Sequence, residues 1–435
     1  MEFYYKNSCL IKEENILKTA EETRPYLEHL RTVAQISSYD FPESSINLPF
    51  DGDILRSVLN IKKEKVSDDL KLVIIIGIGG SKLGTKAVYD AIYGYFNFFN
   101  DKNSQQVIFL DTNDVEFMSK LVDLLKNKIS KPSEVLINVI SKSGDTLEVI
   151  VNFETIYNVL KEKFSDINDR IVVITQKNSK LWEAAEKNNL SFLVIPEKVG
   201  GRFSLFSSVG IFPLSVIGID AEELLKGARE ARADCLNEKI LKNSAMLSAI
   251  IIFLNFKNGK TINDNFLFHP ELESLGKWYR QLMAESLGKE RDINNKKINI
   301  GITPTVSIGL ADLHSMAQLY LGGPSDKFTT FVWAKTSQEL KTPESFVFSD
   351  SAKVIENKSI GSTMENIIEV VKNAYKKKKL PFVEIVLPDI SAYSLGYFMQ
   401  FKMIEIMFLA NLFNVNAFSQ PNVEEYKEEV KQLFL

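Results

Sequence analysis

Cysteine is almost missing from this chain: there are two in 435 residues, Cys9 and Cys235, far apart. Two distant thiols build no disulfide framework and no cysteine-based metal site, and they fit a reducing compartment. Histidine is nearly as scarce. His29, His269 and His314 are too scattered for a metal site, and neither HExxH nor CxxC occurs, so any catalysis is expected to be metal-free. Long apolar runs are lacking too. The longest, near 249–254, is far short of the ~18 residues of a membrane span, so no membrane association is expected. The first residues, MEFYYKNSCLIKEEN, show no basic segment leading into an apolar one; no signal peptide is read, and the expected location is the cytoplasm. Charge of one sign is not in excess. A net charge of −4 gives no reason to expect nucleic acid as a partner, and an anionic ligand would need a local positive pocket. The one lysine run, 376–379, follows a helical stretch, where it suits the negative end of the helix dipole.

What is present is an ordinary globular composition, 45% hydrophobic and 25% charged. At 435 residues the chain is too long for one core, so two domains are expected, with a shared helical layer as one way to join them. Short β-rich runs alternate with helical spacing: LVIIIGI (72–78), QVIFLD (106–111), EVLINVI (134–140), RIVVIT (170–175) and SFLVIP (191–196). Runs apolar on both faces and separated by helices point to a parallel sheet covered on both sides. After a helical zone at 221–257 a second set follows: KINIGIT (297–303), KFTTFVWA (327–334) and FVEIVLP (382–388). The expected fold class is α/β, with two three-layer α/β/α sandwiches on parallel sheets and helical segments at both termini. The expected division is an amino-terminal helical segment at 1–65 packing on the second domain, a first domain at 66–219 and a second at 220–435.

Three segments carry candidate chemistry. GIGGSKLG (77–84) follows a strand and opens a helix, where glycines let the backbone approach a ligand and free N–H groups meet an anion. A dinucleotide fingerprint would need glycine at Lys82, although Asp111 at the next strand end mimics its ribose-binding acid; a Walker A loop would need Gly-Lys-Ser/Thr where the chain has Gly-Thr-Lys. A dinucleotide, a sugar phosphate held near Gly80 and Ser81, and a purely structural turn all remain open. SKSGDTLE (141–148) reads either as a phosphate cradle, with hydroxyls at Ser141, Ser143 and Thr146, or as a hydroxyl-rich loop with a helix cap. Asp145 would repel a phosphate, and is expected to cap the helix and point away. In WYRQLMAESLGK (278–289), helical spacing sets Leu275, Trp278 and Leu282 on one apolar stripe, with Glu285 beside it and Gln281 one turn earlier. A half-desolvated carboxylate next to a tryptophan is suited to moving protons, whereas a lone helix glutamate is ordinarily just solvated.

The segments GIGGSKLG, SKSGDT, GGRFSLFSSVGIFPLSVIG (200–218), WYRQLMAESLGK, ADLHSMAQ (311–318) and QPNVEEYK (420–427) occur in the order seen in the glucose-6-phosphate isomerase (phosphoglucose isomerase) family. Over about residues 70 to 430 the chain resembles that family. The resemblance implies sugar-isomerase (SIS) domains and reversible conversion of glucose 6-phosphate to fructose 6-phosphate through a cis-enediol, with neither metal nor organic cofactor. It implies Glu285 as the base, with Arg202 stabilising the enediolate and His314 and Lys427 serving ring opening. Gly80, Ser81, Ser141, Lys142, Ser143, Thr146, Gln281 and Gln420 would hold the sugar phosphate. It also implies a homodimer in which the histidine comes from the neighbouring subunit. Read without it, Arg202 is a loop arginine, His314 a satisfied core residue and Lys427 a solvated charge. Two departures stand out: Ala311 replaces a threonine, and Asn422 replaces a glycine in a turn that asparagine, tolerant of left-handed backbone, would preserve. The rivals are a non-catalytic sugar-phosphate sensor, an SIS isomerase for another sugar phosphate and, weakest, a nicotinamide-dependent enzyme.

Overall fold

The computed structural model describes residues 1–94, 96, 105–344, 347 and 353–432. In chain order its strands are β1 (Glu2–Tyr4), β2 (Leu72–Ile76), β3 (Gln106–Leu110), β4 (Val135–Ile140), β5 (Ile171–Thr175), β6 (Ser191–Val194), β7 (Ile262–Leu267), β8 (Lys289–Arg291), β9 (Lys297–Ile300), β10 (Thr303–Ile308), β11 (Lys327–Ala334) and β12 (Phe382–Leu387). One sheet runs β3-β2-β4-β5-β6, wholly parallel; the other runs β1-β12-β11-β7-β10.

Period two explains how the first sheet is covered. On β2, Leu72, Ile74 and Ile76 point into one core, while Val73 and Ile75 point into another. β4 and β5 divide the same way. The second sheet repeats the device. Phe266, Phe331 and Phe382 enter a small aromatic core with Tyr320 and Tyr375, whereas Leu267, Val332 and Val383 face the opposite side. That opposite side is the same core that receives Val73 and Ile75. The two sheets therefore share one middle layer.

Helices Ala221–Cys235, Ser244–Lys257 and Ala392–Leu412 fill that layer, and the last is buried along nearly its whole length. Gly227 and Gly396 let two of these helices cross tightly: a β-carbon on Gly227 would fall 1.9 Å from the Tyr393 carbonyl oxygen, and one on Gly396 2.0 Å from that of Leu224. Helix Glu13–Ala34 packs on Ser244–Lys257 and Ala392–Leu412, while Gly52–Lys65 packs on the Ser208–Val216 helix and β6. Among the described residues, no helix is long and apolar enough to cross a membrane.

Three features differ from the sequence reading. The run 297–303 is not one strand: β9 pairs antiparallel with β8 in a separate hairpin, and β10 joins the main sheet beyond Gly301. The amino terminus supplies β1, an antiparallel edge on an otherwise parallel sheet, where only helices were expected. Central strand β7 has no apolar run because Asn263, Asp264 and Asn265 are buried within it. Asp264 is held by the hydroxyls of Thr305, 2.6 Å away, and Ser307, 2.9 Å away, and burial pushes its carboxyl above the usual range.

Candidate active site

In the first sheet, β2 leads to its neighbour β3 on one side and β4 to β5 on the other. The chain reverses direction between β2 and β4, and open α/β sheets bind ligands at the carboxyl ends of such strands. The loops leaving those two ends are GIGGSKLG and SKSGDT. They adjoin: a β-carbon on Gly77 would lie 3.4 Å from the Ile140 carbonyl oxygen.

In the hydroxyl-rich loop, Ser141 and Thr146 hydroxyls lie 3.0 Å apart, and the Gly144 N–H donates to Ser141 Oγ at 3.2 Å. Position 144 needs glycine on two counts: its φ is +73°, and a β-carbon there would fall 2.6 Å from the Leu181 amide nitrogen. Lys142 is half-buried and desolvation lowers its pKa; Ser143 is exposed. The residue at the cap of helix Leu147–Lys163 is Thr146, one position after Asp145, and it makes no side-chain cap bond. In the glycine-rich turn Lys82 is buried and paired with Asp111. The acid that a dinucleotide ribose would need is thus committed to the lysine standing where the fingerprint requires glycine.

Helix Glu273–Leu287 buries Leu275, Trp278 and Leu282 as its periodicity predicts and leaves Glu285 half-buried beside them. Both carboxylate oxygens are engaged. Arg202 donates from Nη1 to Oε2 at 2.9 Å, and Gln281 from Nε2 to Oε1 at 2.9 Å. Arg202 is itself buried; it reaches the Ala417 carbonyl at 2.9 Å and Gln420 Oε1 at 3.2 Å. Burial lowers the Arg202 pKa while the Glu285 carboxylate opposes the shift, and a guanidinium stays charged through such an effect.

Glycines bring the GIGGSKLG turn to this cluster. A β-carbon on Gly80 would fall 2.3 Å from the Gly201 carbonyl carbon, so only two bare backbones fit where the two turns cross. Gly79 (φ +58°) lies under the Gln281 amide, 2.7 Å from where its own β-carbon would be. Ser81, one residue beyond Gly80, is half-buried. Gly80, Ser81, Arg202, Gln281, Glu285 and Gln420 thus come together, with the Ser141–Thr146 loop adjoining through Gly77 and Ile140.

Two expected members are exposed at the surface. His314 is exposed on the short helix Ala311–Ser315 and lines a mainly apolar groove of about 680 Å³ with Tyr320, Val370 and Tyr375; it makes none of the contacts around Glu285. Lys427 is exposed on helix Pro421–Gln432. Ala311 simply opens its helix, and Asn422 lies inside the terminal one, where no left-handed backbone is called for. The sequence reading missed Lys289, a buried lysine touching the Glu285 backbone; its only sequence signal was a lysine one turn beyond that glutamate.

The sequence pattern described as Phosphoglucose isomerase matches residues 61–434. The glucose-6-phosphate isomerase of Methanocaldococcus jannaschii is 36% identical over 426 residues, 95% of this chain and 96% of that one. That of Carboxydothermus hydrogenoformans is 31% identical over 374 residues, 84% of this chain and 79% of that one. A crystal structure of a hypothetical protein from Thermus thermophilus superposes with a TM-score of 0.85 at 27% identity, covering 100% of this chain and 99% of that one. The structure of a glucose-6-phosphate isomerase from Chlamydia trachomatis gives a TM-score of 0.76 at 21% identity over 93% of this chain and 78% of that one, a likeness of fold. By these matches and by its fold, the chain belongs to the phosphoglucose isomerase family.

Proposed function

We propose that Glu285 is the proton-transfer base of a reversible isomerisation between D-glucose 6-phosphate and D-fructose 6-phosphate, the reaction of this family. One observation carries the assignment: a half-buried carboxylate has both oxygens fixed by Arg202 and Gln281, against a turn stripped of side chains at Gly79 and Gly80.

The chemistry follows from what each group can do. The phosphate dianion lies at the switch point of the first sheet, taking hydrogen bonds from Ser141, Ser143 and Thr146, charge from Lys142, and amides from the turn at Gly80 and Ser81. Anchoring that tail carries the opened sugar across the glycine turn toward Glu285. The carboxylate removes the proton from C2 of the aldose, leaving a cis-enediolate, and returns it to C1. Arg202 touches the base already and supplies a fixed positive charge for the oxygen that becomes negative. Gln281 and Gln420 hold the substrate hydroxyls and phosphate side. His314 and Lys427 open the ring, and because His314 stands apart from Glu285 within one chain, a neighbouring subunit's histidine completes the site in a homodimer. Division at 66–219 and 220–435, with 1–65 as an added segment, and a cytoplasmic location belong to the same reading.

The test is Glu285→Gln. Turnover in a coupled assay for glucose 6-phosphate should fall by about 10³-fold or more, while fructose 6-phosphate binding stays within a few-fold of the parent. Full turnover in that variant removes the assignment.

A further inference from the structure

Lys289 has no part in the assignments above. It opens β8 directly after Gly288 and is only 7% exposed. Its ammonium donates to two carbonyls from distant parts of the chain, that of Glu285 at 2.5 Å and that of Ser419 at 2.7 Å. The first belongs to the last turn of helix Glu273–Leu287, whose carbonyls lack partners within the helix. The second precedes Gln420, which accepts from Arg202.

A buried ammonium offered only neutral acceptors is a costly helix cap, since desolvation penalises the charge and no carboxylate bonds it directly. We infer that Lys289 is a positioning residue for the isomerisation: by bridging the carbonyls of Glu285 and Ser419, it fixes the base relative to Arg202 and to the segment bearing Gln420. The inference rests on Glu285 being the base.

Burial, reinforced by the Arg202 charge and opposed by the Glu285 carboxylate, brings the Lys289 pKa down to about 8. Those two are the charged groups facing it. The 417–420 segment presents carbonyls and the Gln420 amide, and β9 directs Lys297 to Glu290 instead. Below pH 8 the bridge is charge-assisted; when the proton leaves, such bonds lose about half their strength and the base is held less firmly. Stability moves the other way. The native pKa lies below the ordinary 10.5, so between about 8 and 10.5 the unfolded chain binds a proton that the native chain lacks, and this group's contribution to stability rises with pH. A loss of turnover in that window is therefore not unfolding through Lys289.

The experiment compares the full-length parent with Lys289→Met, Lys289→Arg and Glu285→Gln. The parent should show an alkaline limb in kcat near pH 8. In Lys289→Met, kcat should fall by roughly 10- to 100-fold with KM for fructose 6-phosphate changed less than about 3-fold, and the limb should vanish. Lys289→Arg, always charged, should recover part of kcat and move the limb upward. Binding of sorbitol 6-phosphate, which has no carbonyl to isomerise, should be unchanged in both. The inference is overturned if Lys289→Met keeps kcat within 2-fold, if the limb persists in it, or if it loses sugar-phosphate binding and thermal stability without recovery in Lys289→Arg. Full turnover in Glu285→Gln would instead remove the base assignment, and this inference with it.

Discussion

Replacing Glu405 by Gln isolates the most exposed assumption about the middle layer, that a charge can live inside it. Lys402 and Glu405, one turn apart on helix Ala392–Leu412, are both 0% exposed, with the ammonium 3.1 and 3.0 Å from the carboxylate oxygens. The ammonium also lies 4.4 Å from the centre of the Tyr279 ring, and the Tyr279 hydroxyl donates to Glu405. Burial lowers the Lys402 pKa and Glu405 opposes it. In Glu405→Gln the shape and the Tyr279 hydrogen bond survive but the counter-charge does not. The stranded ammonium has one escape, releasing its proton. From its ordinary value of 10.5 that costs about 5 kcal/mol at pH 7 and about 2 kcal/mol at pH 9, which caps the destabilisation. The sign follows because the native pKa is depressed: the penalty is full at low pH and shrinks as pH rises toward 10.5. Breaking a buried pair ordinarily costs about 3–5 kcal/mol, within that ceiling. Urea unfolding followed by circular dichroism at pH 7 and pH 9 should show a loss of about 3–5 kcal/mol in Glu405→Gln that falls to about 2 kcal/mol or less at the higher pH. A variant as stable as the parent at pH 7, or a penalty equal at both pH values, would refute the reasoning.

Gly80→Ala should cut kcat/KM by about 10²-fold in the coupled assay, because its β-carbon would meet the Gly201 backbone at 2.3 Å and neither turn can move without shifting Arg202 or the phosphate loop. Mixing Glu285→Gln and His314→Ala subunits, each inactive alone, should restore about a quarter of the parent's activity if two chains complete each site; verified heterodimers with no recovery would return His314 to a role within its own chain.

Much of this was legible in the sequence, for reasons specific to particular residues. LVIII and VLINVI announce strands because both faces are buried, and no surface element could carry such runs. Trp278, Leu282 and Glu285 are legible because a helix repeats every 3.6 residues and the boundary of its apolar stripe falls at the glutamate. β7 stayed hidden because Asn263, Asp264 and Asn265 break its apolar pattern, and the hydroxyls that let Asp264 lie buried there, those of Thr305 and Ser307, are distant in sequence. The Arg202–Glu285 contact spans 83 residues, and no local period encodes it; only the resemblance paired them. Lys289 reads as an ordinary surface charge until the Ser419 carbonyl, 130 residues on, closes over it.

The same topology offers the chain two crevices, and side chains decide which is open. In the second sheet direction reverses between β7 and β11, so a ligand site is equally available to the backbone there. It is bridged instead. His269, two residues past β7, lies with its Nε2 3.1 Å from both the backbone nitrogen and the carbonyl oxygen of Ala334, at the very end of β11. Burial lowers the His269 pKa, which favours the neutral ring at this bridge. The first sheet has glycines and hydroxyls at the corresponding ends, small enough to leave room and polar enough to meet a dianion. Glu285, the proposed base, however, comes from helix Glu273–Leu287, between β7 and β8 in the chain. A shared middle layer is what makes this possible: it sets a helix from the sequence of the second sheet against the open crevice of the first, so that the loops proposed to hold the phosphate and the carboxylate proposed to move the proton come from the sequences of different sheets.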